Sequence, residues 1–304
     1  MEYENGDTAM KARYINPYTD FGFKKLFGEE GSIDLLMDFL NELLPIEHKI
    51  VHLTFSNTEQ LGALAAERKA IFDIHCEDEK GQKFIVEMQK AKIKFFKDRA
   101  VFYTTFPIRE QAEKGEWNFR LTPIYCVAIL DFTFDEARDR KDYITNVNLK
   151  DQYCQVFYDK LTYVFVEMPR FTKSEEELQS HQEKWLYFLK NLEDFEDIPD
   201  ILKEDVFIKG FEIAEIANFD ARQLAEYEES LKVYRDLKGV VDTSFEEGLE
   251  EGVMIGEERG LKRGRAEGKK EEKIEIARMM KTKKFKVKEI AELTGLTPGE
   301  IEKL

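Results

Sequence analysis

Cysteine is scarce in this 304-residue sequence, and its three examples, Cys76, Cys126 and Cys154, show no C-x-x-C spacing. That excludes a disulfide-stapled scaffold and a dithiol redox motif. All three lie in apolar, strand-like runs, so reduced, buried thiols of a cytosolic protein are expected. Histidine is sparse too. None of the four sits in an H-E-x-x-H motif, and His48 and His52 fall in the strand-like "KIVHLTF", where a zinc pair is not expected. No run of eighteen apolar residues exists, and "MEYENGDTAMKARY" lacks the basic-then-apolar pattern of a signal peptide, so neither a membrane span nor export is expected. The G-x-x-x-x-G-K-[ST] phosphate loop and the G-x-S-x-G nucleophile elbow are missing as well. Positive charge is in deficit. The net charge of −16 argues against a generic nucleic-acid coat protein, so contact with a polyanion must come from local basic patches.

What the chain does hold is apolar mass. Hydrophobic residues make up 42 %, with 24 Phe and 12 Tyr, enough for one large domain or two modest ones. A helix is expected over 32–44, where Ile33, Leu36, Met37, Leu40 and Leu44 share a face and Pro45 stops it. Before it, "NPYTDFGFKKLFG" reads as a turn and a short helix capped by Thr19 or Asp20. "HKIVHLTFSN", "KAIFDIHCED" and "KFIVEMQK" read as strands, and 94–114 as a helix broken or kinked at Pro107 and stopped by Gly115. The apolar run "TPIYCVAILDFTF" has the pattern of a central strand covered on both faces. "YCQVFYDKLTYVFVEMP" reads as two further strands around Asp159-Lys160, and helical patterns follow from Ser174 and again over about 205–237. This order defines an α/β domain with a mixed sheet.

One strand breaks the rule for strands. "KFIVEMQK" carries Glu87 and Gln89 on one face, although glutamate is depleted from strands and costly to bury unless neutralised. Gly81 suits the left-handed position of a three-residue loop, Glu79-Lys80-Gly81, which pairs Asp78 with Gln82, His75 with Ile85, and Asp73 with Glu87. Alternation then puts Phe72, Ile74 and Cys76 on one side, and Asp73 and His75 on the other with Glu87 and Gln89. A two-residue loop would set Asp73 across from Met88 and break that agreement. Opposed carboxylates with Cβ atoms about 5 Å apart repel and call for a cation between them. Oxygen ligands favour Mg²⁺ or Mn²⁺, which keep waters for hydrolytic chemistry. The alternative is a solvated hairpin face whose acids never meet. Lys90, Lys92, Lys94, Lys97 and Arg99 follow, and Arg99 and Tyr103 share a helix face. They form either a phosphate-binding patch beside the cation or an ordinary solvated face.

The tail differs in kind. Residues 242–258 hold seven acids and no base, and 259–288 hold thirteen bases against four acids. Gly248, Gly252, Gly256, Gly260, Gly264 and Gly268 fall every fourth residue, each costing a helix about 1 kcal/mol against alanine. A solvated helical linker, antiparallel association of two copies, and a basic arm for DNA all fit this pattern. The charged flanks exclude a membrane G-x-x-x-G. "KVKEIAELTGLTPGEIEKL" reads as two short helices around Thr294-Gly295, a small helix-turn-helix-like segment without a basic recognition helix.

A helix with an acid, a hairpin carrying D…E-x-Q, a helix and a central strand, in that order, are similar to the PD-(D/E)XK nuclease fold. More narrowly, "YTDFGFKKLFG", "IFDIHCEDEKGQKFIVEMQ", "FFKDRAVFYTT", "QAEKGEW" and "LTPIYCVAIL" resemble the recombination-promoting nuclease (Rpn) and PD-(D/E)XK nuclease family transposase group over roughly residues 14–134. The helical remainder and the glycine-repeat tail resemble that family more loosely. The resemblance implies a restriction-endonuclease-like core, with a mixed central sheet flanked by helices, that cleaves DNA with a metal ion. It implies that Asp73 and Glu87 hold Mg²⁺ (Mn²⁺ as the other choice) with the backbone carbonyl of Met88, that Asp20 stands at the edge of the site, and that Gln89 is its last catalytic residue. The wider fold has a lysine there. Glutamine cannot ionise and only orients a water or a phosphate oxygen, so activation falls to the metal, or to Lys90 or Lys92 swinging in. Lys90 has the wrong strand parity for that, and Lys92 sits in the following turn.

The expected layout is a nuclease-like core over 14–170, a helical extension over 171–241 and the charged tail over 242–304. The expected protein is a cytoplasmic, Mg²⁺-dependent DNA endonuclease, homo-oligomeric through its tail, with Lys90, Lys92, Arg99 and Tyr103 as phosphate contacts. The competing expectation is a catalytically weak or inactive nuclease-derived protein that binds DNA or its own copies. Transposition proper rests on family analogy alone.

Overall fold

The computed structural model describes residues 12–56, 59–60, 70–112, 118–135 and 140–304. In chain order the strands are β1 (Leu53–Phe55), β2 (Glu59–Gln60), β3 (Ala70–Ile71), β4 (Ile74–Asp78), β5 (Lys83–Gln89), β6 (Ile124–Leu130), β7 (Ile144–Lys150) and β8 (Val156–Glu167). The helices are α1 (Asp20–Phe27), α2 (Ile33–Leu43), α3 (Phe96–Glu110), α4 (His181–Asn191), α5 (Asp205–Ala214), α6 (Ala221–Thr282), α7 (Val287–Thr294) and α8 (Pro298–Glu302). Two compact units contain them, residues 1–238 and 239–304.

In the first unit, six strands form one mixed sheet in the order β1-β4-β5-β6-β8-β7. Its centre, β5-β6-β8, is parallel, and β1, β4 and β7 run antiparallel to their neighbours. The apolar run of β6 is buried at all seven positions, as a strand covered on both faces requires. "YCQVFYDKLTYVFVEMP" holds a single strand, β8, continuous through Asp159-Lys160, where two were expected, although its pairing with β7 shifts register there. Its antiparallel partner β7, "ITNVNLK", went unread because a polar edge strand carries no apolar alternation. Cys154 also departs from expectation. It is exposed, with a φ of +63°, in the turn joining β7 to β8, whereas Cys76 and Cys126 are buried. The strand expected over 48–57 contracts to β1, and the helix expected over 94–114 to α3, which continues through Pro107. Its expected stop, Gly115, lies outside the described residues.

Each sheet face has its own core. One is covered by α1, α2, α4 and α5, where Phe27, Phe39, Trp185 and Phe207 pack ring against ring over Val86, Met88, Val127 and Val164. The helices after β8 thus share one core with those at the N-terminus. Of the described helices, α3 covers the other face, with Phe96, Ala100 and Phe106 over Ile85, Cys126 and Ala128. Thr19 caps α1, its hydroxyl accepting the Gly22 N–H at 2.9 Å. A Cβ on Gly22 would stand 2.2 Å from the Asn16 carbonyl oxygen, so this turn closes only around glycine. Gly22→Ala is therefore expected to destabilise the protein by about 2–3 kcal/mol, read as a lowered thermal midpoint. An unchanged midpoint would show that the Asn16 turn yields.

In the second unit, Ala277 of α6 packs with Ile290, Leu296 and Ile301. The two short helices expected around Thr294-Gly295 are α7 and α8. Gly295, with a φ of +69°, ends α7, and Lys281 Nζ donates to the Ile301 and Glu302 carbonyls. The six regularly spaced glycines lie in α6, and a Cβ on any of them would meet nothing within 4 Å among the described residues.

Candidate functional site

The hairpin keeps the register that its loop dictates. Gly81 has a φ of +76°, the Asp78 carboxylate accepts the N–H groups of Lys80 and Gln82, and His75 pairs with Ile85. The ladder stops at Ile74, one residue short of Asp73, and the chain bends there. Phe72 accordingly leaves the side it was expected to share with Ile74 and Cys76. It packs with Ile85 and Tyr103 on the α3 face. By strand parity, Met88 turns both its N–H and its carbonyl toward the β4 side, where the ladder has ended. Asp73 fills that place with its side chain: Met88 N–H donates to Asp73 Oδ2 at 2.7 Å, and Asp73 N–H to Glu87 Oε1 at 3.3 Å. The two carboxylates and, by parity, the Met88 carbonyl thus lie at the carboxyl end of β5, where its pairing with β4 has ended.

Glu87 is only 5 % exposed. Burial and then the neighbouring Asp73 push its carboxyl up from an ordinary 4.5 to about 8, against the pull of Arg99, whose Nη2 stands 3.5 Å from Glu87 Oε2. Burial raises Asp73 as well, and the Met88 amide opposes that rise. This is a site with too much negative charge for its depth.

On the α3 side, Gln89 donates through Nε2 to the Ala91 carbonyl at 3.0 Å and accepts from Arg99 Nη1 at 3.5 Å. Arg99 lies 4.8 Å from the Tyr103 ring centre, and burial raises the Tyr103 hydroxyl. On the α1 side stand Asp20, exposed and paired with Lys24 at 3.1 Å, and Lys90, half-buried just past β5. Burial lowers the Lys90 ammonium, while the charges of Asp20 and Asp73 hold it up. Asp20, Lys24, Lys25 and Lys90 line a cleft of about 570 Å³, whose far wall includes Glu226 and Glu229 of α6. Lys92 is not brought to the carboxylates, because it forms an ion pair with Asp135. Lys24, whose charge reaches both Asp73 and Glu87, was missed in the sequence. Its signal was there: one helical turn after Asp20, on the same face. Among the described residues, no group of three or more His, Cys, Asp or Glu side chains is arranged for a closed metal centre.

A carboxylate pair followed two residues on by an amide, at the carboxyl end of a parallel strand in a mixed sheet flanked by helices, defines a restriction-endonuclease-like, PD-(D/E)XK nuclease fold. A family model described as PD-(D/E)XK nuclease family transposase matches residues 17–244, and the chain belongs to that family. No curated protein and no solved structure matches it.

Proposed function

We propose that this chain is a divalent-metal-dependent DNA endonuclease whose ion is held by Asp73, Glu87 and the backbone carbonyl of Met88. The observation that carries the proposal is a buried Glu87 and a half-buried Asp73 joined through the Asp73 N–H, with Glu87 pushed up to about 8 although that N–H, Arg99 at 3.5 Å and Lys24 all pull it down. The residues fit a hard divalent cation, since all the donors are oxygens and the set is open enough to retain waters. Mg²⁺ or Mn²⁺ bound there supplies a more acidic water and an electrophilic partner for a phosphodiester oxygen. The chain's own groups do the rest. Asp73 and Glu87 would hold the ion as carboxylates. Gln89, fixed by Ala91 and Arg99, orients a water or phosphate oxygen without ionising. Lys24 and Lys90 place positive charge on one flank of the scissile phosphate and Arg99 on the other, with Tyr103 holding Arg99 in place and Asp20 holding Lys24.

Supercoiled plasmid incubated with Mg²⁺, Mn²⁺ or EDTA tests this reading. Nicking or linearisation is expected with either ion and none with EDTA. A second reading is favoured by one observation. Arg99 leans on Glu87, and glutamine stands where the wider fold has lysine, as in a scaffold that binds DNA and cuts it poorly or not at all. Salt-sensitive DNA binding without cleavage in any of the three conditions would select that reading over the first.

The tail is assigned to self-association. The acidic and basic blocks meet at Glu258, and the glycine pairs 248/268, 252/264 and 256/260 flank that residue symmetrically. A second copy laid antiparallel about this point sets glycine against glycine, and Glu246, Glu251 and Glu257 against Lys270, Arg265 and Arg259. Light scattering is expected to give a multiple of the chain mass for the full-length protein and a single mass for a chain ending at Val241. Equal assembly of the two would overturn the assignment.

A further inference from the structure

The sheet register carries the carboxylate row past the metal site. Glu87 on β5 stands beside Ala128 on β6, Ala128 beside Phe165 on β8, and Phe165 beside Thr145 on β7. The next row on the same face runs from Gln89 through Leu130 to Glu167. Arg99 and Tyr103 on one flank of α3 face the Glu87 end of these rows. Beyond the other flank, β8 and β7 form the floor of a cavity of about 330 Å³. It lies two strand spacings, roughly 10 Å, from Glu87.

This cavity has the chemistry of a ligand site: a mostly apolar lining with a few placed polar groups, within the size range of small-molecule pockets. Its floor is aromatic. Tyr163 and Phe165 lie nearly parallel, and the Tyr163 hydroxyl is held against Thr104 Oγ1 at 2.8 Å. At one end Glu167, 1 % exposed, is fixed by the Phe134 N–H at 2.7 Å and by Arg170 Nε at 3.1 Å. Glu167 is thus a fixed carboxylate at that end of the lining, its Oε1 already satisfied by these two donors. The rim is cationic: Lys97 Nζ stands 4.7 Å from the centre of the Phe134 ring, and Arg140 lies alongside. An apolar helix has no use for such a rim. A flat, aromatic body tethered to an anion has.

We infer that this cavity is a nucleobase subsite that takes an unpaired base from the strand held at the carboxylates, with its phosphate on Lys97 and Arg140. The identity of the strand rests on the nuclease reading above; the pocket itself does not. Stacking on aromatic side chains contributes about 1–3 kcal/mol per base, so an unpaired base is expected to be bound roughly tenfold more tightly than a paired one.

The test compares two DNA duplexes, one fully paired and one with a single bulged adenine, bound by the full-length protein in EDTA so that nothing is cut. Val101 and Val147 wall the cavity from positions 54 % and 41 % exposed, so tryptophan at either fills it without opening the core. Val101→Trp and Val147→Trp are expected to abolish the preference for the bulge and leave affinity for the paired duplex unchanged, while Val147→Ile retains the preference. Equal affinities in the unaltered protein, no binding of either duplex, or a preference that survives both tryptophans would overturn the inference. A bulge preference without metal-dependent cleavage of any DNA would keep the pocket and reject the nuclease reading. Cleavage without the preference would do the reverse.

Discussion

Alanine at Asp73, or at Glu87, is expected to slow plasmid cleavage on the order of a thousandfold, the scale on which losing one charge-stabilising group at a reacting centre registers. The two variants fail for different reasons. Without Asp73 the Met88 amide loses its 2.7 Å acceptor at the bend, so the edge that aims the Met88 carbonyl is released together with the charge. Without Glu87 the bend keeps its hydrogen bond to Met88, but Arg99 is freed from its carboxylate and only one anionic ligand remains. Asp73→Asn separates geometry from charge, because an asparagine oxygen still accepts from Met88. It is expected to keep the thermal midpoint and lose cleavage as fully as Asp73→Ala. Cleavage within a few-fold of the unaltered protein in both alanine variants would place the reaction elsewhere.

The parts of this site that were legible in the sequence are those that local geometry fixes. Gly81 and the loop length set the hairpin register, and that register alone brings Asp73 to Glu87. Parity, however, assumes an unbroken strand. The bend at Asp73 breaks it, which sends Phe72 to the α3 face and lets the Asp73 carboxylate take a backbone partner's place. No period in the sequence announces such a bend, because its gain is the hydrogen bond to Met88 fifteen residues away. The same limit applies to Lys92, drawn to Asp135, and to β7, whose asparagines mark it as polar when its partner β8 makes it a strand. Cys154 was misplaced for a related reason: "YCQVF" has strand composition, but its first residues close a hairpin turn. Lys24 lay within reach of helical spacing and needed only the knowledge that α1 ends at this sheet edge.

Glu87→Gln is expected to remove most of the decline of stability with rising pH in EDTA. A carboxyl raised from 4.5 to about 8 keeps its proton in the folded protein over a window in which the unfolded chain has lost it. The folded state then binds more protons, so its stability declines as pH rises from about 4.5 and levels off once Glu87 ionises near 8. At about 1.4 kcal/mol per unit of displacement, the decline is on the order of 5 kcal/mol, and it belongs to the Asp73–Glu87 pair as a whole. Glutamine has nothing to ionise and still accepts the Asp73 N–H through its amide oxygen. The variant should match the unaltered protein near pH 5 and melt several degrees higher at pH 8, where it also relieves Asp73 of a buried like charge. Mg²⁺ should also separate the two proteins. It stabilises the unaltered chain most at pH 8, where both carboxylates are free to bind it, and leaves Glu87→Gln nearly unmoved. Thermal melts at pH 5, 6.5 and 8, with and without Mg²⁺, decide the matter. A melting temperature for the unaltered protein in EDTA that stays level or climbs between pH 5 and 8 would mean that Arg99 already neutralises Glu87 and that the site does not need an ion.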